Sequence, residues 1–144
     1  MTLIVEVITN VATGEIATIE GPELPPNADN VNAERDRRLA ADFEFQGKMY
    51  QRDPTSLQRI TGAATLAGFA IAAGAQPGNL RWANPDQNFG WIASDNTITP
   101  MDAQTCFAFG QAAAAVETRL IFRAKVLRGM DPIPADYTDD SWWQ

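Results

Sequence analysis

The spacing of hydrophobic positions changes along the chain, and each change marks an expected element. Residues 3–8 (LIVEVI) are apolar and rich in β-branched side chains, which predicts a strand. Ile16 to Ile19 follow after Asn10 to Gly14, a turn-like stretch whose glycine tolerates positive φ. A β-hairpin is therefore expected over roughly residues 2–20. Two strands alone are marginal in water, so the hairpin is expected to pack on another subunit, another chain or the rest of the domain, with Leu3, Val5 and Val7 as candidates for binding a partner. Residues 21–30 (GPELPPNADN) hold three prolines and a glycine, a composition that predicts a stiff connector and a domain boundary.

From residue 31 the period becomes helical. Asn32 to Ala41 predicts a short charged helix, with Asp29 or Asn30 as its N-cap. Phe43 to Tyr50 alternates apolar and polar residues around Gln46-Gly47, a second hairpin with Phe43 and Phe45 on one face. Asp53 as N-cap and Pro54 at the first helical position open a longer helix. Its seam is Leu57, Ile60, Ala64, Ala67 and Ile71, and Gly74 offers a stop. The window Gly62 to Ala75 is only 14 residues long, too short for a bilayer core of about 30 Å, and reads as a buried Ala-rich helix. Trp82, Phe89 to Ala93 and Thr97 to Thr99 predict a third hairpin with Asp95-Asn96 at its tip. Thr99 as cap, Pro100 at the first helical position and Asp102 then start a helix running to about Arg128. Cys106, Phe109, Ala113, Val116, Leu120, Ala124 and Leu127 form its seam. Two helices with matching seams pack most simply antiparallel against each other within one chain, with pairing of the seams between subunits as the alternative. The tail, residues 131–144, mixes prolines and aspartates with Tyr137, Trp142 and Trp143, rings expected to dock on the body or on a partner. The expected fold class is α+β: hairpin 1–20, linker 21–30, body 31–130 and acidic aromatic tail 131–144.

Composition then narrows the function. The chain carries 18 acidic and 11 basic residues, a formal charge of −7, which disfavours nucleic acid and anionic lipid as partners. Its densest basic stretch, Arg35, Arg37 and Arg38, is interleaved with Glu34 and Asp36. The first residues show no basic region before an apolar segment, so no signal peptide and no membrane insertion are expected. One cysteine allows no internal disulfide and no cysteine-based zinc site. The absence of histidine removes histidine-dependent triads, histidine general bases and the commonest transition-metal ligand.

The remaining chemistry is sparse. No phosphate-binding glycine loop and no Gly-x-Ser-x-Gly elbow is present. Cys106 falls on an apolar seam and reads as a core residue. Glu6, Glu15, Glu20, Glu44 and Glu117 are the carboxylates from which a glycosidase pair would have to come. Glu117 is expected instead to pair with Arg123 or with a neighbouring element. Asp131, Asp136, Asp139 and Asp140 lack the spacing of a calcium loop. Trp82, Phe89 and Trp91 are expected to cap the helix pair, with a glycan-binding shelf on Trp82 and Trp91 as the alternative. No catalytic residue, cofactor or metal is expected, and the chain does not read as an enzyme.

Several short motifs occur in a telling order: Glu34-Arg35-Asp36-Arg37-Arg38, Phe43-x-Phe45-x-Gly47, Asp53-Pro54-x-Ser56 and Gly62-Ala63-Ala64. Trp82, Trp91, Asn96 and Met101-Asp102-Ala103 continue the series, and Asp131 to Tyr137 closes it. From Glu34 to Tyr137 the chain resembles an uncharacterised domain of phage and prophage proteins associated with tail fibres. The resemblance implies a structural part of the distal tail in the virion, made in the host cytoplasm and attached to other tail or fibre proteins. A homotrimer is one assembly it suggests, and a host-surface glycan one further partner. A fibre-assembly chaperone is the alternative, and a cell-wall or glycan-degrading enzyme a distant third.

Overall fold

The fold is described from a computed structural model, which covers every residue except Met1, Asn10, Val11 and Glu15. For residues 2–9 and 16–23 it describes the backbone alone. Strands β1 (Thr2–Thr9) and β2 (Ile16–Leu24) pair antiparallel. Helix α1 spans Ala28–Ala40, and strands β3 (Phe43–Phe45) and β4 (Lys48–Tyr50) form a second antiparallel pair. Helix α2 (Pro54–Ala72) is followed by the pair β5 (Gly90–Ile92) and β6 (Ile98–Pro100), then by α3 (Ala103–Arg128). A 3₁₀ turn at Asp140–Trp143 ends the chain. The fold class is α+β, as expected.

Two compact units divide the chain, Arg35–Ile121 and the two end segments Met1–Glu34 with Phe122–Gln144. They do not follow the expected boundaries at 20, 30 and 130, because α1 and α3 each contribute residues to both. Strand β2 continues through Gly21 and Pro22 to Leu24, residues expected in the connector. The register shifts there, from Val5 opposite Glu20 to Leu3 opposite Glu23, so one extra residue of β2 is accommodated beside the proline. A bulge on an edge strand is where proline is tolerated, since its missing N–H forfeits no rung. Helix α1 starts at Ala28, earlier than expected, with Asn27 as the cap in place of Asp29 or Asn30. Asn30 N–H donates to Asn27 Oδ1 at 3.0 Å and Asn27 N–H to Asn30 Oδ1 at 2.8 Å, a reciprocal capping box. In this end-segment unit Val31, Ala124, Leu127 and Trp143 are buried. Arg128 Nη1 reaches Asn32 Oδ1 at 2.9 Å, joining the last turn of α3 to α1.

In the central unit the seams of α2 and α3 meet. Ile60 and Ala67 of α2 and Cys106, Phe109 and Ala113 of α3 are buried in one cluster with Phe43, Tyr50 and Met101, and Ala64 of α2 is buried as well. The helices approach closely at Gly110, where a Cβ would collide with that of Ala64. The expectation that residues 62–75 are buried as a whole is corrected: Leu66 is 64% and Phe69 69% exposed. They lie on the side of α2 away from Ala64 and Ala67, and alanine on the inner face lets the helix pack without burying its outer one.

Phe109 is the hub of the cluster, with ring centroids 4.8 Å from Tyr50, 5.3 Å from Phe45 and 5.5 Å from both Phe43 and Trp91. Phe43 and Phe45 share a face by the two-residue period of β3, and Gln46 (φ 49°) and Gly47 (φ 80°) make a two-residue turn of the type that preserves strand twist. The start of α3 also departs from expectation. Pro100 is the last residue of β6, opposite Gly90, and Asp102 is the cap, accepting from Thr105 N–H at 2.7 Å. Thr99 Oγ1 is occupied instead by Tyr50 OH at 3.0 Å. No helix among the described residues is long and apolar enough to cross a membrane.

Candidate functional site

The second and third hairpins are tied together before they open a groove. Lys48 Nζ donates to Thr97 Oγ1 at 2.9 Å, Ser94 Oγ to Asp42 Oδ2 at 2.6 Å, and Ser94 N–H to Met49 C=O at 2.9 Å. The β5–β6 loop is Ser94-Asp95-Asn96, closed by Ala93 N–H to Thr97 C=O at 2.8 Å, with Asn96 at φ 67°. Asparagine tolerates that left-handed conformation. Hydrogen bonds from the Thr97 hydroxyl and N–H hold the Asp95 carboxyl below its ordinary pKa.

The rungs of this hairpin fix which edge is open. Ala93 bonds Thr97 at one end and Met101 N–H bonds Phe89 C=O at 3.0 Å at the other, with Trp91 opposite Thr99 between them. Bonded and non-bonded pairs alternate in an antiparallel ladder, so residues 89, 91 and 93 face β6 and Gly90 and Ile92 turn their N–H and C=O outward. Pro100 therefore sits at a position whose ladder asks for no N–H. Ser94, the next outward residue, spends its N–H on Met49. Beyond that single rung, the outward groups of Gly90 and Ile92 meet no partner among the described residues.

A groove of about 430 Å³ runs along this edge. Five consecutive residues, Gly90 to Ser94, line it, and no β6 residue does. Contact with consecutive residues marks a strand edge, because a strand face would contribute only alternate ones. The opposite wall is Gln51, Ser56 and Arg59, with Asn96 at one end. The first turn of α2 places Ser56, whose N–H and Oγ both bond the Asp53 carboxylate at 3.0 and 2.7 Å. Those bonds from Ser56 also lower the Asp53 pKa. Arg59 is exposed one residue before the buried Ile60.

A second cavity, about 330 Å³, is lined mostly by apolar atoms of Leu39, Ala40, Pro54 and Leu57, with Asp36, Arg52 and Glu117. Arg52 is 2% exposed. Its Nε and Nη2 donate to Ala113 C=O at 3.0 and 2.9 Å, and its Nη1 to Leu39 C=O at 2.7 Å. Glu117 stands 3.6 Å from Nη2 with its side chain 47% exposed. Burial lowers the Arg52 pKa, and Glu117 partly opposes that shift. The guanidinium thus ties the last turn of α1 to the middle of α3.

The other candidate residues fall as follows. Trp82 donates from Nε1 to Met101 C=O at 3.0 Å and lies 4.7 Å from Phe89, which is 6.4 Å from Trp91. Both tryptophans pack against the core cluster, and of the two only Trp91 lines the groove. Cys106 is fully buried, and burial raises its pKa to about 11. Trp143 is buried, with Nε1 bonded to Tyr137 C=O at 2.7 Å, while Trp142 bonds Asp136 Oδ1 at 3.0 Å. The side chains of Leu3, Val5 and Val7 lie outside the described residues. Among the described residues no three metal-ligating side chains converge. Sequence reasoning missed Gln51, Arg52 and Arg59. The one signal they carried is position, since they flank a well-marked helix start at Asp53-Pro54.

Comparisons with curated proteins and with solved structures return no match. A family model matches residues 26–140, most of the chain, and on that match the protein belongs to the family described as Domain of unknown function (DUF4376).

Proposed function

We propose that the protein is a structural part of a bacteriophage distal tail, at the tail tip or on a fibre, held there by protein–protein contacts. The observation that carries the attachment reading is the amount of large apolar surface left open on an acidic, well-packed body. Leu66 and Phe69 stand 64% and 69% exposed three residues apart on α2, and Ile92 and Ile98 stand 60% and 69% exposed opposite each other on β5 and β6. Apolar groups in pairs at that exposure suit a surface covered in an assembly. The tail context rests on the ordered short motifs between Glu34 and Tyr137 that resemble phage tail-fibre-associated domains. Quantitative mass spectrometry of purified particles from a host carrying the gene tests it. Stoichiometric presence in the virion is the expected result. Presence in the lysate with absence from particles would overturn the structural role in favour of an assembly chaperone.

A further inference from the structure

We propose that the outer edge of β5 binds an extended acidic peptide segment of a partner protein as an added strand, with a carboxylate of that segment paired to Arg59. This inference stands on the groove alone and does not depend on the tail context. Gly90 and Ile92 direct their N–H and C=O groups into the groove, and Ser94 shows the same edge already accepting a neighbour through Met49. Donors and acceptors repeating at every second residue match another peptide backbone. A sugar ring offers no such repeat, so the edge favours a peptide. Gly90 also limits what approaches from the other side: a Cβ there would lie 2.7 Å from Ile98 Cγ2 and 3.0 Å from Thr99 C=O, so β6 is seated tightly and the free edge is the outer one.

Charge selects the kind of peptide. Among the described residues Arg59 is the only charged one lining the groove, in a chain of net charge −7. The groove is a cationic spot on an anionic protein, and among the described residues the Arg59 guanidinium has no ion-pair partner. An acidic side chain across from it would form a charge-assisted bond.

The test is a selection of random eight-residue peptides displayed on phage against the full chain, followed by amide hydrogen exchange on the complex. Enriched sequences are expected to contain Asp or Glu and to slow exchange at the Ile92 amide. They should bind Arg59→Gln about tenfold more weakly. Ile92→Pro removes the outward donor while leaving the rungs to β6, so it is expected to keep its fold and lose the peptide. Should that variant fail to fold, selected peptides N-methylated at alternate amides serve instead and are expected not to bind. No enrichment, binding indifferent to Arg59→Gln, or an Ile92 amide left unprotected would each overturn the proposal. Two further outcomes would do the same: protection of Ile92 that rises with protein concentration in the absence of peptide, which would mark a second copy as the occupant, and binding of D-glucuronate without protection of Ile92, which would mark a sugar site.

Discussion

Replacing Arg52 separates two explanations of what a buried cation does in this fold. Its guanidinium makes three hydrogen bonds to main-chain carbonyls, two to Ala113 and one to Leu39, and a longer approach of 3.6 Å to Glu117. Ala113 lies inside α3, where the helix ladder already supplies a donor. Leu39 lies in the last turn of α1, where the ladder supplies none, so loss of Arg52 leaves an orphan acceptor that costs about 1–3 kcal/mol. Relief of the desolvated charge offsets part of the remaining loss. Arg52→Met, which keeps an apolar stem, is expected to destabilise by about 2–4 kcal/mol, and Arg52→Ala by about 3–5 as packing is lost too. Glu117 is half exposed, and Glu117→Gln is expected to cost less than about 1 kcal/mol. In a chain of 144 residues each kcal/mol moves Tm by about 3–4 °C, so Arg52→Met should fall by about 10 °C and Glu117→Gln by no more than about 3. Urea unfolding followed by far-UV circular dichroism gives the free energies directly. Equal losses for Arg52→Met and Glu117→Gln would refute the carbonyl argument and make the ion pair the source of stability. A loss under about 1 kcal/mol for Arg52→Met would refute both.

Three further outcomes follow from local geometry. Gly110→Ala is expected to destabilise by about 1–3 kcal/mol in spite of a better helix propensity, because its Cβ meets Ala64, whereas Gly62→Ala in open space on α2 should stabilise by about 0.5–1. Thermal unfolding of the pair checks the difference in sign. Asp102→Ala is expected to cost about 1 kcal/mol at neutral pH, since the carboxylate caps α3 and also accepts from Gly78 N–H at 2.8 Å. The hydrogen bonds from Thr105 and Gly78 lower its pKa from 3.8, so this stability is present above that value and lost as pH falls through the lower folded-state pKa. Wild type and variant should then converge in an acid titration monitored by Tm. Cys106, with its pKa raised to about 11, is expected to resist a thiol reagent at about pH 8, where only about one molecule in a thousand would be thiolate. Labelling should become prompt in denaturing urea, and prompt labelling of the native chain would sink the buried-core assignment.

What could be read from the sequence is what local rules decide. Asp53-Pro54 marks the start of α2 because cap and first-turn preferences act within four residues, and Gln46-Gly47 marks a hairpin because the turn itself demands two positive φ values. The paired seams were legible because burial repeats every three or four residues. Pro100 misled because proline suits both a first helical turn and the unbonded position of an edge strand. Only the rungs on either side, set by Ala93 with Thr97 and Met101 with Phe89, decide between them. Arg52 was invisible for a different reason: its acceptors are 13 and 61 residues away, and no period or motif links them.

The groove combines both failures. Its open edge exists because β5 and β6 are three residues long and β4 leaves after a single shared bond, from Ser94 to Met49. Strand lengths that short carry no usable alternation, so which edge stays free is set by the tertiary placement of the two hairpins on Phe109. The same placement accounts for Trp91, whose ring packs 5.5 Å from Phe109 while its backbone borders the groove. An aromatic that looked like either a core cap or a ligand shelf touches both, and a substitution at Trp91 would confound stability with binding. Arg59 and Ile92 separate the two: both are exposed, neither belongs to the buried cluster, and so a change in binding at either reports on the groove itself.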